Sequence, residues 1–123
     1  MCNKVLKKIY LCGMNTDKNI SQMRKGVLEL CILSIISGNR EVYASDILDR
    51  LKSARLLVVE GTLYPLLTRL KNEDLLSYRW EESKSGPPRK YYQITPAGME
   101  QLTEMTRGWH ELVQAVNVLL SNK

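Results

Sequence analysis

One stretch of this chain dictates three elements in immediate succession. From Glu60 to Gly98 it reads EGTLYPLLTRLKNEDLLSYRWEESKSGPPRKYYQITPAG. Leu63, Leu66, Leu67 and Leu70 recur at helical spacing and make one apolar face, with Thr62, Tyr64, Thr68, Arg69 and Asn72 on or beside the other. Pro65 lacks an N–H and suits only the first turn of a helix, so the helix is predicted to begin near Gly61 or Thr62. From Leu75 to Glu82 the period drops to two. Leu76, Tyr78 and Trp80 point one way, Ser77, Arg79 and Glu81 the other. Ser85, Gly86, Pro87 and Pro88 are turn chemistry, and alternation resumes from Lys90 to Thr95 with Tyr92 and Ile94 on one face. A short helix feeding a hairpin is the second half of a winged helix-turn-helix. There the helix enters the DNA major groove and the hairpin touches the backbone beside it.

The charges fit that use. Lys84, Arg89 and Lys90 surround the turn, with no acid between residues 83 and 95. A solvated loop is the plain alternative, but Lys and Arg beside a groove-sized helix suit phosphate contact. Thr62, Tyr64, Thr68 and Arg69 are the candidate reading residues on the helix.

With 123 residues the chain is read as one mainly α (α+β) domain, and 44% hydrophobic with 25% charged residues is ordinary for a soluble protein. Its net charge of +5 is compatible with a nucleic-acid partner without demanding one. No apolar run approaches a membrane span, and Lys7 and Lys8 interrupt any signal-peptide core, so a cytoplasmic location is expected. Cys2, Cys12 and Cys31 have no CxxC spacing, which predicts neither a disulfide framework nor a metal site.

Residues 1–20 read as an N-terminal extension, 21–95 as the DNA-binding domain and 96–123 as a dimerisation helix. In the extension Lys4, Lys7 and Lys8 interleave with Val5, Leu6, Ile9 and Tyr10, which allows a short amphipathic helix. Residues 15–19 are polar and expected to be flexible, and Met14 is a second candidate start. A loose tail and an ordered contact arm both remain open. Ser21 to Ser37 is the first strong helix, apolar nearly all round in its second half and ended by Gly38 and Asn39. Tyr43 to Ser53 is a second, with Tyr43, Ile47, Leu48 and Leu51 inward. Leu56 to Val59 is a short link with the look of a strand edge.

Thr95 is a good N-cap and Pro96 a good first residue for the last helix. From there Leu102, Met105, Trp109, Leu112, Val116 and Leu119 follow at spacings of three, four, three, four and three, a heptad seam broadened by Val113 and Leu120. Packing on its own domain is one reading. The other is a two-fold dimer, since three helices and a hairpin already supply a core.

In this order the parts resemble the PadR family of bacterial transcriptional regulators. The carrying segments are MRKGVLELCILSII (23–36), GTLYPLLTRLKNEDLLSY (61–78) and GPPRKYYQITPAG (86–98). The resemblance covers about residues 22–120, and the single last helix is similar to the short subfamily. It implies a winged helix-turn-helix with a C-terminal dimerisation helix, and a homodimeric repressor on double-stranded DNA with an inverted-repeat operator, in some cases answering a flat hydrophobic or phenolic effector. Asp74 stands where such proteins often carry glycine, at a helix end that favours the left-handed conformation.

No catalytic constellation, metal site or cofactor is expected. His110 has no partner motif, Glu81 and Glu82 face opposite ways on a strand, and the GlyProPro tip is too short and stiff for a phosphate loop. The alternative from another class is a winged-helix module that binds protein through the same hairpin and never touches DNA. Trp109 at an inner seam position is bulky for a tight two-helix contact. It could wall, with Met23, Val27, Met105 and Val113, a gap between subunits that takes a small aromatic effector, or pack on the partner's first helix.

Overall fold

The computed structural model describes the backbone of residues 2–56 and 58–122, and the side chains of 19, 20 and, apart from 57, of 22–122. Four helices and three short strands follow one another as α1 (Cys2–Ser37), β1 (Val42–Tyr43), α2 (Ala44–Ser53), α3 (Glu60–Asn72), β2 (Leu76–Glu81), β3 (Arg89–Ile94) and α4 (Pro96–Ser121). The strands form an antiparallel sheet in the order β1-β3-β2. The fold is a winged helix-turn-helix extended by one long C-terminal helix.

Leu63, Leu67 and Leu70 of α3 are fully buried, as the helical spacing predicts. They meet Ile32, Leu33 and Ile36 of α1, Ile47 and Leu51 of α2, and Leu76 of β2. Each such side chain stabilises the fold by about 1.5–3 kcal/mol. No polar side chain is buried with them among the described residues. The Cys31 thiol, half-buried beside this core, is pushed up from its ordinary value by burial, which suits an inert packing residue.

The structure corrects four boundaries. α1 begins at Cys2 rather than near Ser21 and runs without a break through 15–19, in place of the flexible link expected there. No proline interrupts this segment, and once a helix is nucleated each further residue adds a hydrogen bond at little cost. Whether Lys4, Lys7 and Lys8 share an amphipathic face with Val5, Leu6, Ile9 and Tyr10 lies outside the described side chains. Val42 and Tyr43 form a strand, not the start of α2. Tyr43 instead precedes α2 as its N-cap residue, its N–H donating to the Asp46 carboxylate at 3.1 Å. Two residues carry no readable alternation; their pairing comes from Tyr92 and Tyr91 across the sheet. Leu56, Val58 and Val59 are not in a strand. Finally, α3 starts at Glu60, which puts Pro65 in the second turn and leaves the Gly61 carbonyl without its usual donor four residues on.

Two helix ends share one device. After α2, Arg55 takes φ 64°, the Leu56 N–H reaches back to the Leu51 carbonyl at 2.8 Å and that of Arg55 to Lys52 at 2.9 Å. After α3, Asp74 takes φ 62°, with Leu75 bonded to Leu70 and Asp74 to Lys71, both at 3.0 Å. Both are Schellman caps built without glycine. Asp tolerates the left-handed region better than a long side chain does, and the Thr95 hydroxyl donates to the Asp74 carbonyl at 2.6 Å. Arg55 has no such compensation among its hydrogen bonds. Arg55→Gly is therefore expected to stabilise the protein by about 0.5–1 kcal/mol, because relief of the left-handed strain outweighs the freer unfolded chain. Urea denaturation reads this directly, and a variant no more stable than the parent would show that Arg55 is unstrained.

Candidate nucleic-acid interface

With Leu63, Leu67 and Leu70 turned inward, the outer face of α3 presents Gly61, Tyr64, Pro65, Thr68 and Asn72. The hydroxyl of Thr68 donates to the Tyr64 carbonyl at 3.0 Å. Its proton is thus committed, and the oxygen faces out as an acceptor. Tyr64 is 45% exposed, and its phenol can donate or accept.

The hairpin stands beside this face. Residues 76–81 pair with 94–89 in strict register, Tyr78 opposite Tyr92 and Trp80 opposite Lys90. Between α3, the start of α2 and the hairpin lies an open cleft of about 410 Å³. Tyr64 and Thr68 line it from α3, Tyr43 and Ser45 from the start of α2, and Trp80, Pro88, Arg89 and Lys90 from the hairpin. Among the described residues its lining holds two cations and no carboxylate.

The cations near this surface differ in how far they are committed. Arg69, placed by its sequence among the reading residues, is held at 3.0 Å by both Glu29 of α1 and Glu73 of its own helix. These partners hold its guanidinium pKa above the ordinary value. To reach a ligand it would have to leave both carboxylates. Arg79 is similarly engaged, donating to Glu41 at 2.6 Å and lying 3.4 Å from Glu81. Its guanidinium holds the Glu41 carboxyl below the usual range. Lys84 and Arg89 make no ion pair among the described residues. Arg89 stacks over Tyr43 at 5.2 Å. Lys90 places its ammonium 4.5 Å from the centre of the Tyr78 ring and 5.0 Å from that of Trp80, which fixes its position while keeping its charge.

Tyr64, Thr68, Arg89 and Lys90 are therefore gathered around one cleft, while Lys84 is in the turn between β2 and β3 and not in its lining. Thr62 is elsewhere. It lines a smaller hollow of about 230 Å³ with Arg24 and Lys25 of α1 and with Val59. In the sequence these two cations are legible only as the exposed beginning of α1. Nor does the sequence mark Trp80, Tyr43 and Ser45 as part of the cleft. Alternation puts Trp80 on the inner face of the hairpin, yet its ring stays 60% exposed because β2 runs out past the end of the core.

α4 opens as predicted, with the Gly98 N–H donating to the Thr95 hydroxyl at 3.0 Å and Pro96 in the first position. Leu102 and Met105 are half-buried against the core of their own chain. Trp109, Leu112, Val116 and Leu119 are 40, 57, 43 and 72% exposed. Of the other residues of the candidate effector gap, Met23 is 65% exposed, and Val27, Met105 and Val113 are half-buried. Chemistry on a substrate has little to work with at this surface. The Tyr91 phenol, beside the Tyr43 hydroxyl and near Glu81, is pushed up to about 12 and stays protonated. No group of three metal-ligating side chains occurs among the described residues, and no helix among them is long and apolar enough to cross a membrane.

Comparison with known proteins agrees with this geometry. Residues 32–104 match the sequence profile of the transcriptional regulator PadR-like family. The chain is 34% identical over 95 residues to the transcriptional regulator Rv3488 of Mycobacterium tuberculosis, covering 77% of this chain and 87% of that protein. A PadR-like transcription factor from Bacteroides fragilis superposes with a TM-score of 0.70 at 58% identity, over 83% of this chain and 98% of the other. Bacillus subtilis PadR, solved in complex with operator DNA, shares the fold at 23% identity and a TM-score of 0.60, over 65% of this chain and 46% of its own.

Proposed function

Because the chain belongs to the PadR-like family of transcriptional regulators, we propose that it binds double-stranded operator DNA as a homodimeric repressor on an inverted repeat. As a transcriptional regulator it is not an enzyme. The observation that carries the proposal is the cleft between α3 and the hairpin, lined by Arg89 and Lys90 without a carboxylate and continuous with the Tyr64 and Thr68 face. On this reading α3 lies in the major groove and offers Tyr64, Thr68 and Asn72 to base edges. Lys84, Arg89 and Lys90 face phosphates on one flank, and Arg24 and Lys25 beside Thr62 on the other. Arg69 acts between α1 and α3 instead. A protein of the same fold has been solved in complex with operator DNA, which supports a DNA partner for this fold. A regulator with such a partner works in the cytoplasm.

Trp109, Leu112, Val116 and Leu119 form an apolar seam that a second copy would cover, while Leu102 and Met105 fasten α4 to the head below it. A flat aromatic effector lodged between subunits against Trp109, Met23, Val27, Met105 and Val113 would regulate binding only by preferring one spacing of the two heads.

Exposure of the Trp80 ring favours a second reading, a module that binds protein through the hairpin. Duplex titrations at two salt concentrations separate the two. Tyr64→Ala should lower the preference for operator over random duplex. The triple change of Lys84, Arg89 and Lys90 to alanine should weaken all duplexes alike and reduce the slope of log affinity against log salt by about three. Wild-type protein that leaves every duplex unbound at low salt would reverse the assignment in favour of the protein-binding module.

A further inference from the structure

Trp80 has an unusual setting for a large apolar side chain. Its ring is 60% exposed, yet held from behind. Tyr78 meets it edge-on, with ring centres 6.1 Å apart and planes at 88°. Lys90, its partner across the ladder, sets its ammonium 5.0 Å from the ring centre. Lys71 of α3 sits over Tyr78 at 5.7 Å, so the stack is tied to the helix as well as to the hairpin. The free part of the ring faces the cleft it shares with Tyr64, Thr68, Pro88 and Arg89. Aromatic surface and positive charge thus meet in this cleft, whose described lining holds no acid; Glu82 lies with Trp80 on the hollow behind it, and Glu81 stands opposite Arg89 on the other face of the ladder.

A ligand for such a cleft must match both, anionic where it meets Arg89 and apolar where it meets the indole. The sugar–phosphate backbone of DNA has that character, because the C–H face of a deoxyribose lies between successive phosphates. Resting on the DNA-binding reading above, we propose that Trp80 seats one deoxyribose of the strand that passes between α3 and the hairpin, with Arg89 on the adjoining phosphate. Lys90 is a positioning residue, which keeps the indole in place through its contact with the two rings. A ribose carries a 2′-hydroxyl and belongs to an A-form duplex of different groove shape, so an RNA duplex does not fit the same seat.

The test uses the full chain labelled with 5-fluorotryptophan, whose two fluorine resonances are assigned by the one missing in Trp80→Phe. A mixed-sequence DNA duplex with a dye at one end reports binding by anisotropy in the same titration. The Trp80 resonance is expected to shift as the anisotropy rises, and an RNA duplex of the same sequence should leave it in place. Trp80→Ala should weaken DNA binding about tenfold with an unchanged salt slope. Arg89→Ala should lower that slope by about one. A rise in anisotropy without movement of the Trp80 resonance, or with full affinity retained in Trp80→Ala, would overturn the seat and leave DNA binding standing. An equal shift with RNA would overturn the deoxyribose assignment. No anisotropy change at low salt would overturn the DNA reading itself, and the seat with it.

Discussion

Gly98→Ala is expected to destabilise the protein by about 3 kcal/mol or more, a larger loss than a methyl group would cause at any other described glycine. Gly98 is buried in the first turn of α4. A Cβ there would clash with the Leu75 carbonyl oxygen and lie 2.7 Å from the Ile94 Cγ1. The carbonyl cannot retreat, because it already accepts the Thr95 N–H at 3.1 Å, and Leu75 itself is fixed by its bond to Leu70. Either α4 shifts off the head or the end of α3 distorts. Urea denaturation should show the loss, and Gly108→Ala supplies the control, since a Cβ at Gly108 meets nothing within 4 Å. Equal stability of the two variants would mean that α4 is not seated on Leu75 as described.

Leu112→Asp should have little effect on the folding of a single chain, because Leu112 is 57% exposed there, but a severe effect on assembly. In the proposed dimer it places an unpaired carboxylate in an apolar contact, at a cost of at least a few kcal/mol, and two-fold symmetry introduces it from both chains. The expected result is a folded monomer at micromolar concentration that binds operator about a hundredfold or more weakly, since each subunit then meets its half-site alone. Sedimentation and operator titration check the two parts. A stable dimer would move the interface away from α4, towards residues 1–20 and the rest of α1.

The elements with strong periodicity are legible in the sequence alone. Leu63, Leu67 and Leu70 announce α3, Tyr78 and Tyr92 the hairpin, and Thr95 with Pro96 the start of α4, because each signal is local and repeated. The extent of α1 is not legible, since its polar stretch at 15–19 looks like a linker, and only the absence of a breaker argues otherwise. β1 is invisible because its two residues are strand only by virtue of Tyr91 and Tyr92 opposite. At the candidate site, Tyr64, Thr68, Arg89 and Lys90, grouped together from the sequence, line one cleft in the structure. Sequence cannot separate Thr62 from them, since the flank of a helix meets either neighbour. Nor can it reveal that Arg69 is claimed by Glu29, forty positions earlier. Long-range pairing of this kind leaves no spacing to read.

The joint at Thr95 has a mechanical consequence. Its hydroxyl bonds the Asp74 carbonyl, its N–H the Leu75 carbonyl, and its side chain caps α4, while Leu102 and Met105 hold the first turns of the helix to the core. The part beyond Met105, as far as Ser121, makes an arm of about 24 Å. A tilt of about 8° there carries the far end some 3 Å, close to the rise of one base along a strand of about 3.4 Å. In a dimer joined near that far end, a change in helix angle too small to break any contact at the joint is enough to put two half-sites one base out of step.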